Sequence, residues 1–496
     1  MIKSLKIILW DEEIGRLAWD ERRRLSYFTY NPEFIKKGLN ISPLVAPVDD
    51  TKGLLPVWGE DAKIYQKLPA FVADSLPDAW GNQLFDLWSV QQRLSNADIN
   101  PLDKLSFIGR RGMGAFEFIP EVNRERKTEK IDVRSLADLA ERIFVERENA
   151  RIMPDESITM QSLLTVGTSA GGRQPKAIIA INRKTGEIRS GQIAGLKGYD
   201  YYLLKFGNSE YCSAELEMTY YKLATLAGIN MMPSDLYPVD GNNHFMTKRF
   251  DRDGERKIHT QTLAAIYPDA ESYEQLISVC RKLRLPEADC REIFRRMVFN
   301  ILSNNTDDHN KNFSFIMNDD GSWHLAPAYD ITYVIDRGGY LPNREHCLYI
   351  RAKLHDITRS DIIEFARDNG IRRPEAIIRD VVSSLKQFRT TATGYGVSES
   401  WIGRVESTIV EHLKAWGEWG YETEDVVIDV NGHTIRNMRV EQTYKGNYHL
   451  LANIDDMERK FVISKKREEF AYIEQIGLAN LTVEHLKAMV EKHFNL

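Results

Sequence analysis

The sequence predicts an α+β fold of two lobes, strand-rich and then helical, with a small α/β domain ahead of them and an extension behind. Three observations carry that prediction. Between about 160 and 250, short β-type runs alternate with turn residues. Beyond about 270, apolar residues recur at helical spacing. After about 425 the chain returns to strand-like runs. The expected division is 1–125, 150–255, 256–424 and 425–496.

In the first part, Phe71–Trp88 reads as a helix interrupted by Leu76-Pro77-Asp78 and by Gly81. The segment Phe107–Phe116 has the look of a phosphate loop, but it lacks the third glycine of G-x-G-x-x-G and no helix follows. It reads as a tight turn feeding the strand Ala115–Ile119. The charged stretch Glu121–Lys130 reads as a linker. Lys176–Asn182 is a strand, Arg183–Glu187 a turn around Gly186, and Tyr201–Phe206 the next strand. In Ala214–Ala227, Leu216, Tyr220, Leu223 and Ala227 share one helical face, with Gly228 at the C-cap position and Pro233 beyond. Leu236–Val239 and His244–Phe250 form a hairpin around Asp240-Gly241-Asn242-Asn243. Asp289–Asn304 is an amphipathic helix, followed by helices at Ser360–Asp368, Pro374–Phe388 and Trp401–Trp419. The tail carries strands at Val426–Val430, Tyr448–Leu451 and Lys460–Ser464 and a terminal helix, Thr482–Phe494.

Composition narrows the classes. A chain of 496 residues that is 43% hydrophobic and 28% charged is neither disordered nor fibrous. A net charge of -6 argues against broad, non-specific nucleic-acid binding by the chain itself, so contact with DNA is expected only through a partner. Cys212, Cys280, Cys290 and Cys347 have no C-x-x-C spacing, which argues against a zinc knuckle and for a reducing compartment. The apolar start Leu5–Trp10 runs straight into Asp11-Glu12-Glu13, unlike a secretory signal, and no stretch reaches membrane-span length. The expectation is a cytoplasmic protein without membrane contact.

The chemistry gathers after the Asp289–Asn304 helix. Thr306-Asp307-Asp308-His309-Asn310-Lys311-Asn312 is too polar for core. Phe313–Met317 and Ser322–Leu325 then form a hairpin around Asn318-Asp319-Asp320-Gly321, ending at Ala326-Pro327-Ala328-Tyr329-Asp330. A hairpin returns its ends to one place, so Asn312 and Asp330 are expected as neighbours. An aspartate, an asparagine five positions later and a second aspartate are what a kinase needs to orient an accepting hydroxyl and hold magnesium on ATP phosphates. Asp307, and not Asp308, has that spacing to Asn312 and is the expected catalytic base. With the order of the lobes, this makes the expected fold protein-kinase-like, a β-rich N-lobe before a helical C-lobe.

Upstream, Gly167-Thr168-Ser169-Ala170-Gly171-Gly172-Arg173-Gln174-Pro175-Lys176 is either a flexible loop or a phosphate cradle; it is not a Walker A sequence, since no Gly-Lys-Ser/Thr occurs. Lys205 is either an edge-strand charge or the lysine that reaches the α/β-phosphates. Glu215 or Glu217 could pair with it, Glu217 being preferred. Thr247-Lys248-Arg249-Phe250 sits at the junction of the lobes, where its backbone could meet an adenine edge and Phe250 pack on the ring.

These pieces resemble the HipA-type serine/threonine kinases, toxin halves of bacterial toxin–antitoxin pairs. The resemblance rests on Ser169–Lys176, Lys205, Arg249–Arg252, Thr306–Asn312 and Ala326–Asp330 in that order, with Leu76-Pro77-Asp78 and Gly109–Phe116 upstream. It spans roughly residues 1 to 420 and implies ATP and magnesium as cofactors. It further implies nucleotide or metal contacts from Gly171, Gly172, Arg173, Gln174, Pro175, Lys176, Lys205, Lys248, Arg249, Phe250, His309, Asn310, Lys311, Asn312, Tyr329 and Asp330. Asn312 and Asp330 would be the metal ligands and Asp307 the base. Ser169, with Thr168 as alternative, falls at the family's autophosphorylated position, where phosphate would silence the enzyme. A helix-turn-helix antitoxin is the implied partner, and a translation factor such as an aminoacyl-tRNA synthetase the implied substrate. Asp308 stands where the family commonly has a small residue, and a second carboxylate beside the base would tune or impair metal binding. A catalytically inactive nucleotide-binding co-repressor, and a kinase of small molecules, are the competing readings. The extension 425–496 has no recognised counterpart.

Overall fold

The computed structural model describes residues 2–48, 53, 64–91, 99–121, 131–146, 157–167, 172–192, 195–336, 341–419, 428–430, 433–442, 448–454 and 457–463. The chain forms two compact units, Met1–Thr408 and Ile409–Leu496.

The first unit begins with an antiparallel sheet in the order Leu25–Tyr30, Glu12–Asp20, Ser4–Leu9, Phe116–Ile119. Period-two alternation makes it: Leu5, Ile7 and Leu9 are buried while Ser4 and Lys6 face water. Phe28 meets Phe71 edge-on at 5.2 Å, tying the sheet to the short helix Ala70–Ala73. The expected Phe71–Trp88 helix is split at Leu76-Pro77-Asp78, and Gly81 lies inside the second piece, Ala79–Gln91, without ending it. A helix not anticipated from the sequence, Pro101–Ile108, starts at an Asn100/Asp103 capping box with proline in the first turn. It leads into the Gly109–Gly114 turn and the strand Phe116–Ile119.

Next comes a five-stranded antiparallel sheet, ordered Ile188–Ser190, Lys176–Asn182, Tyr199–Lys205, Asn242–Lys248, Ser234–Val239. Its hairpin turns through Asp240 (φ 48°) and Gly241 (φ 83°), both left-handed as a two-residue hairpin requires. One face packs on the helices Val133–Glu146 and Ser157–Gly167 and on Trp80 and Leu84 of Ala79–Gln91, in one core with Ala177, Ile179 and Leu204. Ser157–Gly167 falls where strands were expected. Met160, Leu163, Leu164 and Val166 are all buried. The helix Ser213–Leu226 contributes Ala214 and Met218 to a separate cluster with Phe245.

The helical lobe is organised around Glu287–Ser303, where Ile293, Phe294, Met297, Val298 and Leu302 are fully buried. Asn304 ends it at φ 61°, a left-handed cap that asparagine tolerates, and turns the chain into the polar run 305–312. The expected hairpin is present as Ser314–Met317 and Trp323–Leu325, with His259–Thr262 as a third strand the sequence did not disclose. Helices Arg359–Asp368, Pro374–Leu385 and Phe388–Gly394 follow. No helix among the described residues is long and apolar enough to cross a membrane.

The second unit holds an antiparallel meander of Ile428–Val430, His433–Gln442, Tyr448–Ile454 and Met457–Ile463. The expected helix Thr482–Phe494 and all but the first residue of the expected linker Glu121–Lys130 lie outside the described residues.

Candidate active site

Lys176 and Lys205 stand directly opposite each other on neighbouring strands. Lys205 is buried with its ammonium between two carboxylates, Glu217 of the Ser213–Leu226 helix and Asp330. Burial opposes that charge, but Asp330 and Glu217 outweigh it and hold the lysine protonated above its ordinary range. Lys205 in turn keeps the Asp330 carboxyl well below the usual range despite its burial. For Glu217 burial is the stronger influence and raises it, so Asp330 carries the firmer negative charge. Glu215, the alternative partner, instead accepts from Asn243 Nδ2 at 2.8 Å. The Lys176 ammonium is brought down to about 8, by burial first and then by neighbouring Lys205.

Asp330 sits at φ 56°, a left-handed conformation that persists only where the surroundings impose it. They do: Ala328 N–H donates to Asn230 O at 2.8 Å, and the Tyr329 hydroxyl donates to Lys311 O at 2.7 Å. Asn312 and Asp330 therefore meet, lining one narrow pocket with Asn305, Asp307 and Tyr329. Asp307 is exposed at its mouth, and its carbonyl accepts from Asn312 Nδ2 at 2.6 Å. Burial raises its carboxyl, His309 opposes this, and Asp330 and Asp308 add to it. His309 Nδ1 accepts the Lys311 N–H at 3.2 Å, which leaves the ring proton on Nε2, 3.9 Å from Asp307 Oδ1.

Asp308 also lines this pocket and its charge is felt at Asp307, but its carboxylate oxygens are engaged on the core side. Its side chain is fully buried, with Oδ1 accepting the Cys347 N–H at 2.8 Å and Oδ2 meeting the Tyr273 hydroxyl and His346 Nδ1, each at 2.8 Å. It is a core anchor that fixes the loop from below. Asn300 extends the network, donating to the Tyr273 hydroxyl at 3.1 Å and accepting from Asn305 Nδ2 at 2.9 Å.

The other expected site residues divide. Phe250 stacks on Tyr329 with ring centroids 5.8 Å apart. Arg173 is exposed, its charge felt at Asp307. Gln174 donates to Phe206 O at 3.1 Å, and Pro175 O accepts the Phe206 N–H. Asn310 reaches Ala270 O at 3.5 Å. The Lys248 ammonium pairs with Asp200 at 3.1 Å, and the Lys248 and Arg249 N–H groups are already taken by Pro233 and Tyr201 carbonyls. An adenine edge would have to use other backbone groups of this segment. The Arg249 guanidinium is buried against Asp251, at 2.7 and 2.6 Å. Thr168, Ser169 and Gly171 lie outside the described residues.

Two residues beyond those expected matter here. Asp251 also accepts the Gly114 N–H at 2.7 Å, and Arg252 donates to the Gly112 and Gly114 carbonyls, so Arg249–Arg252 fastens the Gly109–Gly114 turn. A Cβ at Gly114, which has φ +70°, would come within 2.9 Å of Thr260. Asp78 accepts from Lys311 Nζ at 2.5 Å and from the Gly172 N–H at 2.9 Å. Its signal in the sequence was Leu76-Pro77-Asp78, whose partners lie too far along the chain to be read locally.

The residues facing the pocket suit a hard cation. Asp307, Asn312 and Asp330 offer oxygen, and the buried Asn305 Oδ1 has no hydrogen-bond partner among the described residues. An all-oxygen set is what magnesium takes.

A strand-rich lobe whose lysine pairs with a helix glutamate, above a helical lobe bearing Asp307, Asn312 and Asp330, defines a bilobal protein-kinase-like fold. A HipA N-terminal domain profile matches residues 5–119, and a HipA-like C-terminal domain profile matches 168–388. The serine/threonine-protein kinase toxin HipA of Shewanella oneidensis is 22% identical over 358 residues, covering 67% of this chain and 75% of that protein. A Haemophilus influenzae protein carrying a kinase name is 29% identical over 222 residues, 39% of this chain; the match spans 63% of that protein's length. The solved complex of Shewanella oneidensis HipA with HipB and operator DNA superposes with a TM-score of 0.59 at 18% identity, covering 83% of this chain and 97% of that one. This chain belongs to the HipA family.

Proposed function

We propose that this protein is an ATP- and magnesium-dependent serine/threonine protein kinase of the HipA toxin type. The observation that carries the reading is Lys205, held charged between Glu217 and Asp330, with Asp307 and Asn312 at the same pocket. Lys205 and Lys176 face the phosphates of ATP. Asn312 and Asp330 hold magnesium, which when bound offsets phosphate charge. Asp307 orients the accepting hydroxyl and receives its proton; burial raises its carboxyl, so activity falls as pH drops through that raised value. Ser169 is the site of silencing autophosphorylation. The partner is a helix-turn-helix antitoxin, in keeping with HipB beside the Shewanella protein. The substrate is a cytoplasmic translation factor, with aminoacyl-tRNA synthetases the first class to test.

The pure protein is incubated with γ-labelled ATP and magnesium, and the products are mapped by mass spectrometry. Phosphate on Ser169, reduced about 10²–10⁴-fold in Asp307→Ala, is the expected result. Nucleotide binding without transfer would establish the inactive co-repressor instead, and transfer confined to metabolites a small-molecule kinase. Equal activity in Asp307→Ala would remove Asp307 from its role.

A further inference from the structure

The segment Asp74–Trp80 touches three parts of the kinase-like body. Asp74 accepts the Thr262 N–H at 2.8 Å and its hydroxyl at 2.6 Å, on the sheet of the helical lobe. Asp78 Oδ1 accepts from Lys311, next to Asn312, and Asp78 Oδ2 from the Gly172 N–H at the foot of the glycine-rich segment. Trp80, fully buried, donates its backbone N–H to Gly172 O at 3.2 Å and its indole N–H to Lys176 O at 3.1 Å. One strap thus runs from the helical lobe, past the catalytic loop, to the strand-rich lobe.

Its central carboxylate is built for this position. Asp78 is largely buried, which disfavours its charge, yet Lys311, the Gly172 N–H and Lys176 together hold its carboxyl below the ordinary range. Gly172 has φ +96°, and a Cβ there would meet Lys176 Nζ at 2.6 Å, so the glycine admits both the lysine and the bond to Asp78. From Lys311 the link continues through its carbonyl to Tyr329, adjacent to Asp330. The Lys311 ammonium, expected on nucleotide, is committed to the strap.

We infer that Asp78 is a positioning residue, through which the N-terminal part of the chain holds the Gly172 end of the strand bearing Lys176 and the Lys311–Asn312 turn at a fixed separation across the cleft. This rests on the kinase reading for its catalytic consequence, though not for the contact itself. Without Asp78, Gly172 loses its anchor and Lys311 its counter-charge. Nucleotide then binds a looser cradle, and the phosphate is presented off line to Asp307.

The test uses the full chain with Asp78→Asn, Lys311→Met and the double variant. Hydrogen exchange of the Gly172 amide is expected to quicken about tenfold or more in Asp78→Asn, in line with loss of a charged hydrogen bond. Peptides from Tyr199–Lys205 and Glu287–Ser303 should stay protected. In phosphotransfer, kcat/KM is expected to fall about 100-fold, with KM for ATP rising as well as kcat falling. Adding Lys311→Met to Asp78→Asn should cost little more, because both act through one contact. Unchanged exchange at Gly172, or two losses that multiply, would overturn the inference. Should Asp78→Asn fail to fold, Lys311→Met alone must still loosen Gly172. Should the wild type transfer no phosphate, the kinase reading falls and hydrogen exchange still judges the strap.

Discussion

Two buried ionic clusters in residues 1–408 are put together in opposite ways. In one, Asp251 lies between Arg249 and Arg252, with side chains 0%, 1% and 2% exposed, and the surplus guanidinium donors turn to the carbonyls of Gly112 and Gly114. In the other, Lys205 lies between Glu217 and Asp330. Lys205 and Glu217 are 5% and 6% exposed, but Asp330 is 32% exposed and lines the pocket. The first has excess positive charge and spends it on protein backbone. The second keeps one of its carboxylates, Asp330, at an opening. Burial of charge alone does not mark a reactive site; a charged group left facing a space does.

Substitutions sharpen that contrast. Asp251→Ala strands two buried guanidiniums, and urea unfolding should show a loss of about 3–5 kcal/mol. A loss below about 1 kcal/mol would break the comparison. The pH dependence has a definite sign. Asp251 is held well below the ordinary aspartate range by Arg249 and Arg252 against burial, so its stabilisation is complete above that range. The stability gap between wild type and Asp251→Asn should stay constant down to about pH 4 and shrink only below it.

Lys205→Ala should act on the other axis. Phosphotransfer falls about 10²–10³-fold, while the urea midpoint should move less than in Asp251→Ala because Asp330 is open to solvent at the pocket. A large stability loss there would make Lys205 as structural as Arg249. Asp308→Asn removes acceptor strength from the Tyr273, His346 and Cys347 contacts and should cost about 1–3 kcal/mol in thermal unfolding, with magnesium affinity unchanged. Glu215→Gln should shift stability by no more than about 0.5 kcal/mol and leave transfer intact, in contrast to Glu217→Gln.

Local pattern carried much of this. The helix before Asn304, the hairpin after Asn312 and the spacing of Asp307 are short-range, so their periodicity and turns were readable. The lysine's partner was preferred as Glu217 but not decided: Glu215 and Glu217 sit two positions apart on one helix, and the packed rotation of that helix selects Glu217. Asp308 was left open because sequence places it beside the base, and only the folded backbone shows its side chain bonded into the core. The contact of Asp78 with Gly172 and Lys311 joins residues far apart in the chain, and no local period encodes such a meeting.

The pairing of Lys176 opposite Lys205 also determines where the gene can gain or lose codons. Deleting one residue within Lys176–Asn182 would slip the strand and turn its side chains to the other face, carrying Lys176 away from the phosphate side. The turn Arg183–Glu187 joins the same strand to Ile188–Ser190 at the far end from both lysines, and extra residues there leave the register untouched. Length variation in this lobe should therefore collect at Arg183–Glu187 and stop short of Asn182.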